Sequence, residues 1–315
     1  MSIKETAAGV NAAAVSATTA SKKEGGLRLA AGFERKLAFG LSGAPLPLVS
    51  VITIVYNGAE HIERTIESVL SQKYKNIEYI IVDGGSTDAT PDIIKKYEDR
   101  LDYWISEKDR GISDAMNKGI ALASGEITGM IHSGDWYEAG AIGAVVAAFL
   151  KYSPGGICGA LRLWNGDKPY YRGESDIGGM YYGMSMWHPT VFIKTALYRS
   201  EGVFDLKYKS AMDYDLLTRF IYKGHKFLNM RGFLIANMSR GGTSESNRTA
   251  GLREEYDIRV KNGVSRAAAA LECLRKYFIC CGLQFIKKIM VRSRLGFVVD
   301  YLRKIRNAGD GGFIQ

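Results

Sequence analysis

Features that define several large classes of protein are absent from this 315-residue chain. Its four cysteines, Cys158, Cys273, Cys280 and Cys281, form neither a CxxC pair nor the disulfide framework of a secreted protein, so we expect reduced thiols. No uninterrupted apolar run approaches the roughly 20 residues of a membrane-spanning helix. The N-terminus has no continuous apolar core of the signal-peptide type. These absences predict a cytoplasmic protein.

An acidic excess is also lacking, and the net charge of +9 is unevenly distributed. Residues 1–47 carry six Lys and Arg against three Asp and Glu, and residues 264–315 carry ten against three. The residues between these ends are nearly neutral, with a net charge of −1. A body with no basic excess and no nucleic-acid-binding motif argues against a nucleic-acid partner.

What the sequence does contain is a repeated strand–helix pattern between Val49 and Trp136. Apolar runs predict strands at 48–56, 77–82, 102–106 and 126–131. Helices are predicted at 61–72, 112–123 and 138–151, and after Thr87 or Asp88 with Pro91 in the first turn. Repeated units of this kind predict an α/β fold with a mainly parallel sheet, whose strand carboxyl ends open onto one edge.

Polar side chains follow these predicted strands, at Asn57, Asp83, Asp88, Asp109 and Asp135. Because they would gather at one sheet edge, the series predicts a site for a metal or a polar ligand. No GxGxxG motif follows the first strand, which argues against a dinucleotide-dependent dehydrogenase.

Beyond Pro154 the pattern changes. Short segments rich in Tyr, Trp and Gly over 157–193 predict strands and loops that shape a pocket. An amphipathic helix is predicted at 213–222, strands near 225–229 and 233–239, and helical structure from 252 to about 306.

Seven segments in order resemble the family 2 glycosyltransferases of the GT-A fold. They read VSVITIVYN, ERTIESVLSQKY, YIIVDGGSTDAT, SEKDRGISDAMNKGIALASGE, IHSGDWY, WHPTVF and AMDYDLLTRF, and they lie within residues 48–245, about two thirds of the chain. The chain is similar, more narrowly, to bacterial enzymes that assemble capsule, exopolysaccharide or O-antigen sugars. The resemblance implies a nucleotide-diphospho-sugar transferase fold, Rossmann-like, with a C-terminal helical extension. The domains expected are a disordered or loosely structured extension at 1–45, a GT-A domain at 46–250 and a basic amphipathic tail at 251–315.

The resemblance implies an inverting transfer of a sugar from a nucleotide-diphosphate donor, a UDP-sugar, to a glycan or lipid-linked acceptor. Asp83, with Gly84 behind it, can accept the imide N–H of a uracil ring, although a turn-forming role is the alternative. Asp88 suits a helix cap equally well. Further donor contacts are implied for Tyr56, Asn57, Asp109, Arg110, Asn117, Lys118, Ser133 and Gly134. A solvated loop is the alternative for Arg110 and Lys118.

Asp135 is the implied ligand of a divalent cation, Mn²⁺ or Mg²⁺, which would neutralise the departing diphosphate. The family usually has Asp-x-Asp or Asn-Ser-Asp-Asp here, whereas this chain has His132-Ser133-Gly134-Asp135, so one carboxylate is left. His132 is either a helper to the metal or a histidine with a structural role.

Asp213, at the start of its predicted helix, is the implied catalytic base, and a simple helix cap is compatible with that role. Asp215 is a weaker candidate. An acceptor and sugar pocket is implied for Trp136, Trp187, His188, Arg240 and Gly242. For His188, a structural role is the alternative.

The tail intersperses apolar and basic residues over 264–306, which predicts a helix lying on an anionic membrane surface. A helix packed on the catalytic domain or on a partner chain is the alternative. A second functional hypothesis is a non-catalytic sugar-nucleotide-binding or scaffold subunit of a polysaccharide assembly complex. The identity of the sugar and the oligomeric state are left open.

Overall fold

The computed structural model describes residues 22–30, 45–239 and 248–278, which form a mixed sheet flanked by helices. The strands are β1 (Lys23–Gly25), β2 (Val49–Val55), β3 (Ile77–Asp83), β4 (Tyr103–Ser106), β5 (Ile127–Met130), β6 (Asp135–Tyr137), β7 (Gly156–Asn165), β8 (Lys168–Gly173), β9 (Phe192–Lys194) and β10 (Phe227–Ser239). The helices are α1 (Ile62–Leu70), α2 (Thr90–Lys95), α3 (Ile112–Leu122), α4 (Ala141–Tyr152), α5 (Thr195–Glu201), α6 (Met212–Tyr222) and α7 (Arg248–Lys261), and residues 266–278 are helical as well.

The sheet has the strand order β1-β4-β3-β2-β5-β9-β7-β10-β6, with β8 paired to β7. Strands β4, β3, β2 and β5 run parallel to one another, and β9 is antiparallel to both β5 and β7. Strand β10 is parallel to β7, so its carboxyl end lies at the same sheet edge as those of β2, β3 and β5. This confirms the predicted α/β fold with a mainly parallel central sheet.

The core has two parts because the sheet buries side chains on both faces. On β2, Val49, Val51 and Val55 face one part, whereas Ile52 and Ile54 face the other, as alternation along a strand requires. Helices α1 and α4 cover the first face, and α3 and α6 cover the second. The second face carries the helix with the predicted base.

The predicted βα units are confirmed, with boundaries within a few residues of those expected. The two strands predicted near 225–229 and 233–239 are one strand, β10. Its pairing with β7 shifts register on either side of Leu234, so an irregularity replaces the expected turn. Strand β6 and helix α5 were not predicted.

The predicted loose N-terminal extension is wrong for residues 22–30. Strand β1 pairs antiparallel with β4, and a 3₁₀ turn follows it. Arg28 then forms an ion pair with the fully buried Glu78 and donates to the backbone oxygen of Leu122 at 2.9 Å. This segment therefore belongs to the folded domain.

Residues beyond the domain boundary predicted at residue 250 also pack on the rest of the structure. Ile258 and Ala269 are completely buried, and Arg259 donates to the backbone oxygen of Tyr182 at 2.5 Å. Lys276 pairs with Glu255 at 2.6 Å, which ties the 266–278 helix to α7. Residues 251–278 therefore pack on the preceding domain, as the alternative for this region proposed. The tail beyond residue 278 lies outside the described residues.

Candidate active site

Asp83 ends β3 and is fully buried at the carboxyl edge of the sheet. Its carboxylate accepts hydrogen bonds from the backbone N–H of Ser86 at 3.0 Å, from the Ser106 hydroxyl at 2.5 Å and from the Ser86 hydroxyl. These donors fix the orientation of the carboxylate. Neither Ser86 nor Ser106 was predicted as a site residue.

Tyr56, Gly84 and Asp109 lie together above this carboxylate. A Cβ atom placed on Gly84 would clash with an Asp109 carboxylate oxygen and lie 3.5 Å from the Tyr56 ring, so a side chain there would displace the Asp109 carboxylate. The Tyr56 side chain is 64% exposed, which leaves a ring face free for stacking. Asp109 accepts the backbone N–H of Gly111 at 2.8 Å.

Asn57 and Asp88 brace the loops around this pocket. The Asn57 side-chain oxygen accepts the backbone N–H of Thr87 at 2.9 Å. Asp88 accepts the backbone N–H groups of Ala59 and Thr90, and a hydrogen bond from the Thr90 hydroxyl holds the pKa of Asp88 below its usual range. The contacts with Thr90, the first residue of α2, favour the helix-cap alternative for Asp88.

Arg110, Lys118 and Asn117, which were predicted to contact the donor, each have partners within the protein. Arg110 forms a two-pronged ion pair with Asp114, at 2.8 and 3.2 Å. Burial works to raise the pKa of Asp114, but its hydrogen bonds with Arg110 outweigh this and lower it. Lys118 pairs with Glu107 at 2.7 Å. The Asn117 amide donates to and accepts from the backbone of Phe204, both at 2.9 Å, which gives Asn117 a structural role in place of the predicted ligand contact.

The turn between β5 and β6 places Ser133, Gly134 and Asp135 at the same edge. Gly134 has φ +97°, and its N–H donates to the Thr65 hydroxyl at 3.1 Å. The buried Ser133 hydroxyl has no hydrogen-bond partner among the described residues. Burial raises the pKa of Asp135 well above its usual value, and a hydrogen bond from the backbone N–H of Ser239 opposes the rise.

The two tryptophans predicted in the sugar pocket differ. Trp136 alternates with Asp135 along β6 and is packed between Arg64, whose guanidinium carbon lies 3.1 Å from the ring centre, and Trp164. Trp136 is therefore buried among these side chains, and its role in the sugar pocket stays a prediction. Trp187 is half-buried, with its ring centre 6.4 Å from that of Tyr171.

His132, His188 and Asp213 form a cluster that is mostly buried. The two imidazoles stack with ring centres 5.2 Å apart, and His188 Nε2 lies 3.7 Å from Asp213 Oδ1. Burial, reinforced by His188, lowers the pKa of His132 to about 3, and burial lowers the pKa of His188 to about 4. Burial raises the pKa of Asp213 to about 6, with His132 opposing the rise. At neutral pH the cluster is an ionised carboxylate beside two neutral imidazoles.

The N-terminus of α6, which carries Asp213, is held by α7. The Glu254 carboxylate accepts the backbone N–H groups of Lys209, Ser210 and Ala211 at 2.8–3.0 Å. Asp215 is buried in ion pairs with Arg219 at 2.8 Å and Lys261 at 3.1 Å, so it supports the helix and does not face the cleft cluster. Glu254 could not have been found without the tertiary structure.

Contacts connect the two ends of the site. The backbone N–H of Asn57 donates to Ser86, which holds Asp83. The Cα of Gly58 lies against Ser133, since a Cβ there would come within 2.6 Å of the Ser133 hydroxyl. Ser133 adjoins His132, whose ring stacks on His188 beside Asp213.

Arg240 and Gly242, predicted in the sugar pocket, lie outside the described residues.

A family model described as glycosyl transferase family 2 matches residues 50–217, which include Asp83, Asp135 and the cluster around Asp213. The chain belongs to this family.

Curated relatives agree with this assignment. An uncharacterized glycosyltransferase of Mycobacterium tuberculosis is 45% identical over 93 residues, which are 29% of this chain and 36% of the relative. An uncharacterized glycosyltransferase of Rickettsia typhi is 33% identical over 188 residues, 56% of this chain and 59% of the relative. The match thus spans less than two thirds of either relative.

Solved structures share the fold. The Staphylococcus aureus TarS 1–349 structure in complex with UDP-GlcNAc has a TM-score of 0.59 at 18% identity, covering 73% of this chain and 72% of that one. The mannosyltransferase PcManGT from Pyrobaculum calidifontis, in complex with GDP-Man and Mn²⁺, has a TM-score of 0.56 at 14% identity and covers 84% and 88%. At these identities the likeness shows the GT-A fold.

In this member of the family, Asp135 has the chemistry expected of the cation ligand. Desolvation disfavours the charged form of a buried carboxylate, and a bound cation would offset that penalty. No group of three His, Cys, Asp or Glu side chains suited to a metal occurs within 22–30, 45–239 and 248–278. A bound Mn²⁺ or Mg²⁺ would neutralise charge on a diphosphate, and the donor and water would complete its coordination.

Proposed function

We propose that this protein transfers a sugar from a nucleotide-diphosphate donor, a UDP-sugar, to a hydroxyl of a glycan or lipid-linked acceptor in the synthesis of a cell-surface polysaccharide. The observation that carries the proposal is Asp213: a carboxylate whose pKa burial raises to about 6, beside His188, whose ring stacks on His132 just after the end of β5. Such a carboxylate is ionised at neutral pH and yet more basic than an ordinary aspartate, as a general base must be.

The residues divide the work between the two ends of the cleft. Asp83 accepts the imide N–H of the uracil, and the exposed Tyr56 ring stacks on the base. At the other end, Asp213 takes the proton of the acceptor hydroxyl. The oxygen forms a bond to the anomeric carbon as the bond from that carbon to the diphosphate breaks on the opposite face, so the configuration inverts.

The direct test is release of UDP. Purified protein is incubated with UDP-GlcNAc, UDP-glucose, UDP-galactose or GDP-mannose, with Mn²⁺ or Mg²⁺, and the free nucleotide is measured. We expect slow hydrolysis of one UDP-sugar and faster release once an acceptor glycan is supplied. Tight UDP binding with no release from any donor, with or without acceptor, would instead favour the non-catalytic scaffold.

Asp83→Asn is expected to weaken UDP binding about tenfold or more, because a hydrogen bond to a charged acceptor is lost. Cytosine has an acceptor where uracil has its imide N–H, and the side-chain amide that this substitution introduces can donate to that atom. The UDP to CDP preference should therefore fall, as calorimetric titration with both nucleotides would measure.

The control for this prediction is Asp92→Asn, the same chemical change on an exposed residue in the first turn of α2. It should leave both affinities unchanged. An unaltered UDP to CDP ratio in the Asp83 variant would show that this carboxylate does not read the base.

We propose further that the C-terminal region rests on an anionic membrane surface through residues 264–306. Within the described part of the chain no helix has the length and apolar character to span a bilayer. The 266–278 helix does expose large apolar side chains: Leu271 (70%), Leu274, Tyr277 and Phe278. Exposed apolar residues beside basic ones suit an interfacial helix.

Removal of residues 279–315 is expected to lower binding to phosphatidylglycerol-containing vesicles severalfold, since each basic residue near such a surface contributes about 1 kcal/mol. Affinity for UDP should not change, because α7 and the 266–278 helix are retained. In the full chain, Leu271→Ser with Phe278→Ser should also weaken sedimentation with vesicles. Leu29→Ser, on an exposed leucine of the N-terminal segment, is the control. Equal vesicle binding by the truncated and full chains would refute the membrane role.

A further inference from the structure

Several unpartnered polar atoms of the described residues lie close together in the active site. The buried atoms without a hydrogen-bond partner include Nδ1 of His132, Nδ1 of His188 and Oδ1 of Asp213. An unsatisfied buried polar atom is costly, so such a concentration calls for an explanation. Two of these three residues, His132 and His188, have no role in the mechanism derived above.

The His188 ring is held on several sides. His132 stacks on one face at an interplanar angle of 26°, and Phe204 approaches edge-on, with its ring centre 6.2 Å away. The backbone at His188 begins a 3₁₀ turn, in which its oxygen accepts the N–H of Val191 at 2.9 Å. The ring therefore has little freedom except along the direction of Asp213.

Nε2 of His188 lies 3.7 Å from Oδ1 of Asp213. This distance exceeds the length of an ordinary hydrogen bond by less than about 1 Å. Hydrogen bonds in active sites are often long without substrate and shorten in the reacting complex. We propose that His188 is a positioning residue for the base: as a neutral imidazole it donates its Nε2–H to Asp213 Oδ1, and His132 holds the ring in place by stacking. This leaves Oδ2 of Asp213 to receive the acceptor proton.

A neutral donor suits this purpose better than a cation. An imidazolium beside Asp213 would stabilise the carboxylate strongly and make it a weaker base. Burial keeps both imidazoles neutral, since the pKa is about 4 for His188 and about 3 for His132. The charged and titratable groups that act on Asp213 are His132, His188 and, from α5, Tyr198, whose phenol is neutral because burial raises its pKa.

The first test reads the proton on His188 in the free wild-type protein and does not depend on catalysis. The chain has four histidines, so ¹⁵N-histidine labelling gives four ring systems, assigned by His→Gln variants at each position. We expect His188 to be the neutral Nε2–H tautomer from about pH 5.5 to 8, well above its lowered pKa. An Nδ1–H tautomer, which would present a lone pair to Asp213, would overturn the proposal.

The second test uses UDP-GlcNAc hydrolysis and so rests on the proposed function. His188→Phe keeps the ring packing and removes the donor. We expect kcat to fall about 10- to 100-fold, which corresponds to a lost hydrogen bond to a charged group. The KM for UDP-GlcNAc should stay within about twofold. Because the donor stabilises the ionised carboxylate, its loss should move the acidic limb of the kcat profile upward by about 0.5 pH unit or more.

His188→Gln keeps an N–H donor and should restore most of kcat and the position of the acidic limb. His225→Gln is the matched control, since His225 pairs with Glu201 at 3.1 Å, away from the cluster. An acidic limb that is unmoved in a His188→Phe variant with normal UDP affinity would overturn the proposal. If that variant fails to bind UDP, the tautomer measurement decides. If the wild type hydrolyses another UDP-sugar, the same variants are measured with that donor. Absence of hydrolysis of every UDP-sugar by the wild type would count against the proposed function and leave the tautomer result intact.

Discussion

Asp213→Asn is expected to lower kcat for sugar transfer about 10²- to 10⁴-fold while UDP affinity stays within about twofold. The range is that contributed by a well-placed general base. Asn has the same shape but cannot take the acceptor proton, and Asp213 contacts His188, whereas the carboxylate of Asp83 is held by Ser86 and Ser106. Steady-state kinetics combined with calorimetric titration of UDP would measure both quantities.

The same assignment predicts how kcat changes with pH. Asp213 acts as a base only when ionised, and its pKa is about 6. Wild-type kcat should therefore be level near about pH 7–8 and fall as the pH drops through about 6, and the residual activity of Asp213→Asn should not follow this limb. Asp257→Asn, the same change on a half-exposed residue of α7, should leave both rate and profile unaltered. Normal turnover by Asp213→Asn would remove Asp213 from the mechanism.

Arg28→Met should lower the free energy of unfolding by about 3 kcal/mol, as breaking one side of a buried ion pair does. Glu78 is completely buried, and beyond Arg28 it accepts hydrogen bonds from Ser50, at 2.5 Å, and from Ser124. Without Arg28 its charge stays buried and loses this cationic partner. Urea denaturation monitored by fluorescence would measure the loss.

The control for this pair is Lys22→Met. Lys22 forms an exposed ion pair with Glu24 at 3.0 Å, which is worth at most about 1 kcal/mol. Arg28→Met combined with Glu78→Gln should recover part of the lost stability, because the buried charge is gone. An Arg28 variant as stable as the Lys22 variant would show that the N-terminal segment contributes little to the fold.

The central part of the fold was predictable because its physical signals are local. The β2 and β3 runs are almost purely apolar, as strands buried on both faces must be, and the stripe Ile62, Ile66 and Val69 of α1 has helical spacing and is buried. Asp83 and Asp135 lie at strand ends, where the parallel topology gathers side chains. Their common sheet edge followed from the pattern of repeated βα units.

What the sequence did not reveal depends on contacts between distant residues. Strand β1 has three residues of low apolar content. It forms because it pairs with the edge strand β4 and because Arg28, which follows it, forms an ion pair with Glu78. The role of Asn117 is set by the backbone of Phe204, 87 residues away. The pairing of His132 with His188 likewise joins two loops that no local pattern connects.

The contact between Glu254 and the start of α6 makes the C-terminal region part of the support of the proposed base. Three backbone amides immediately ahead of the base are oriented by a carboxylate from a helix that follows the family-matched segment. Replacing the chain after residue 250 with an unrelated membrane anchor would therefore remove Glu254 and its hydrogen bonds to the start of α6. The position of the proposed base would then be less well fixed, although every described side chain expected to contact the donor is kept. A replacement of the C-terminal region that preserves turnover has to begin after residue 278, so that α7 and the 266–278 helix are both kept.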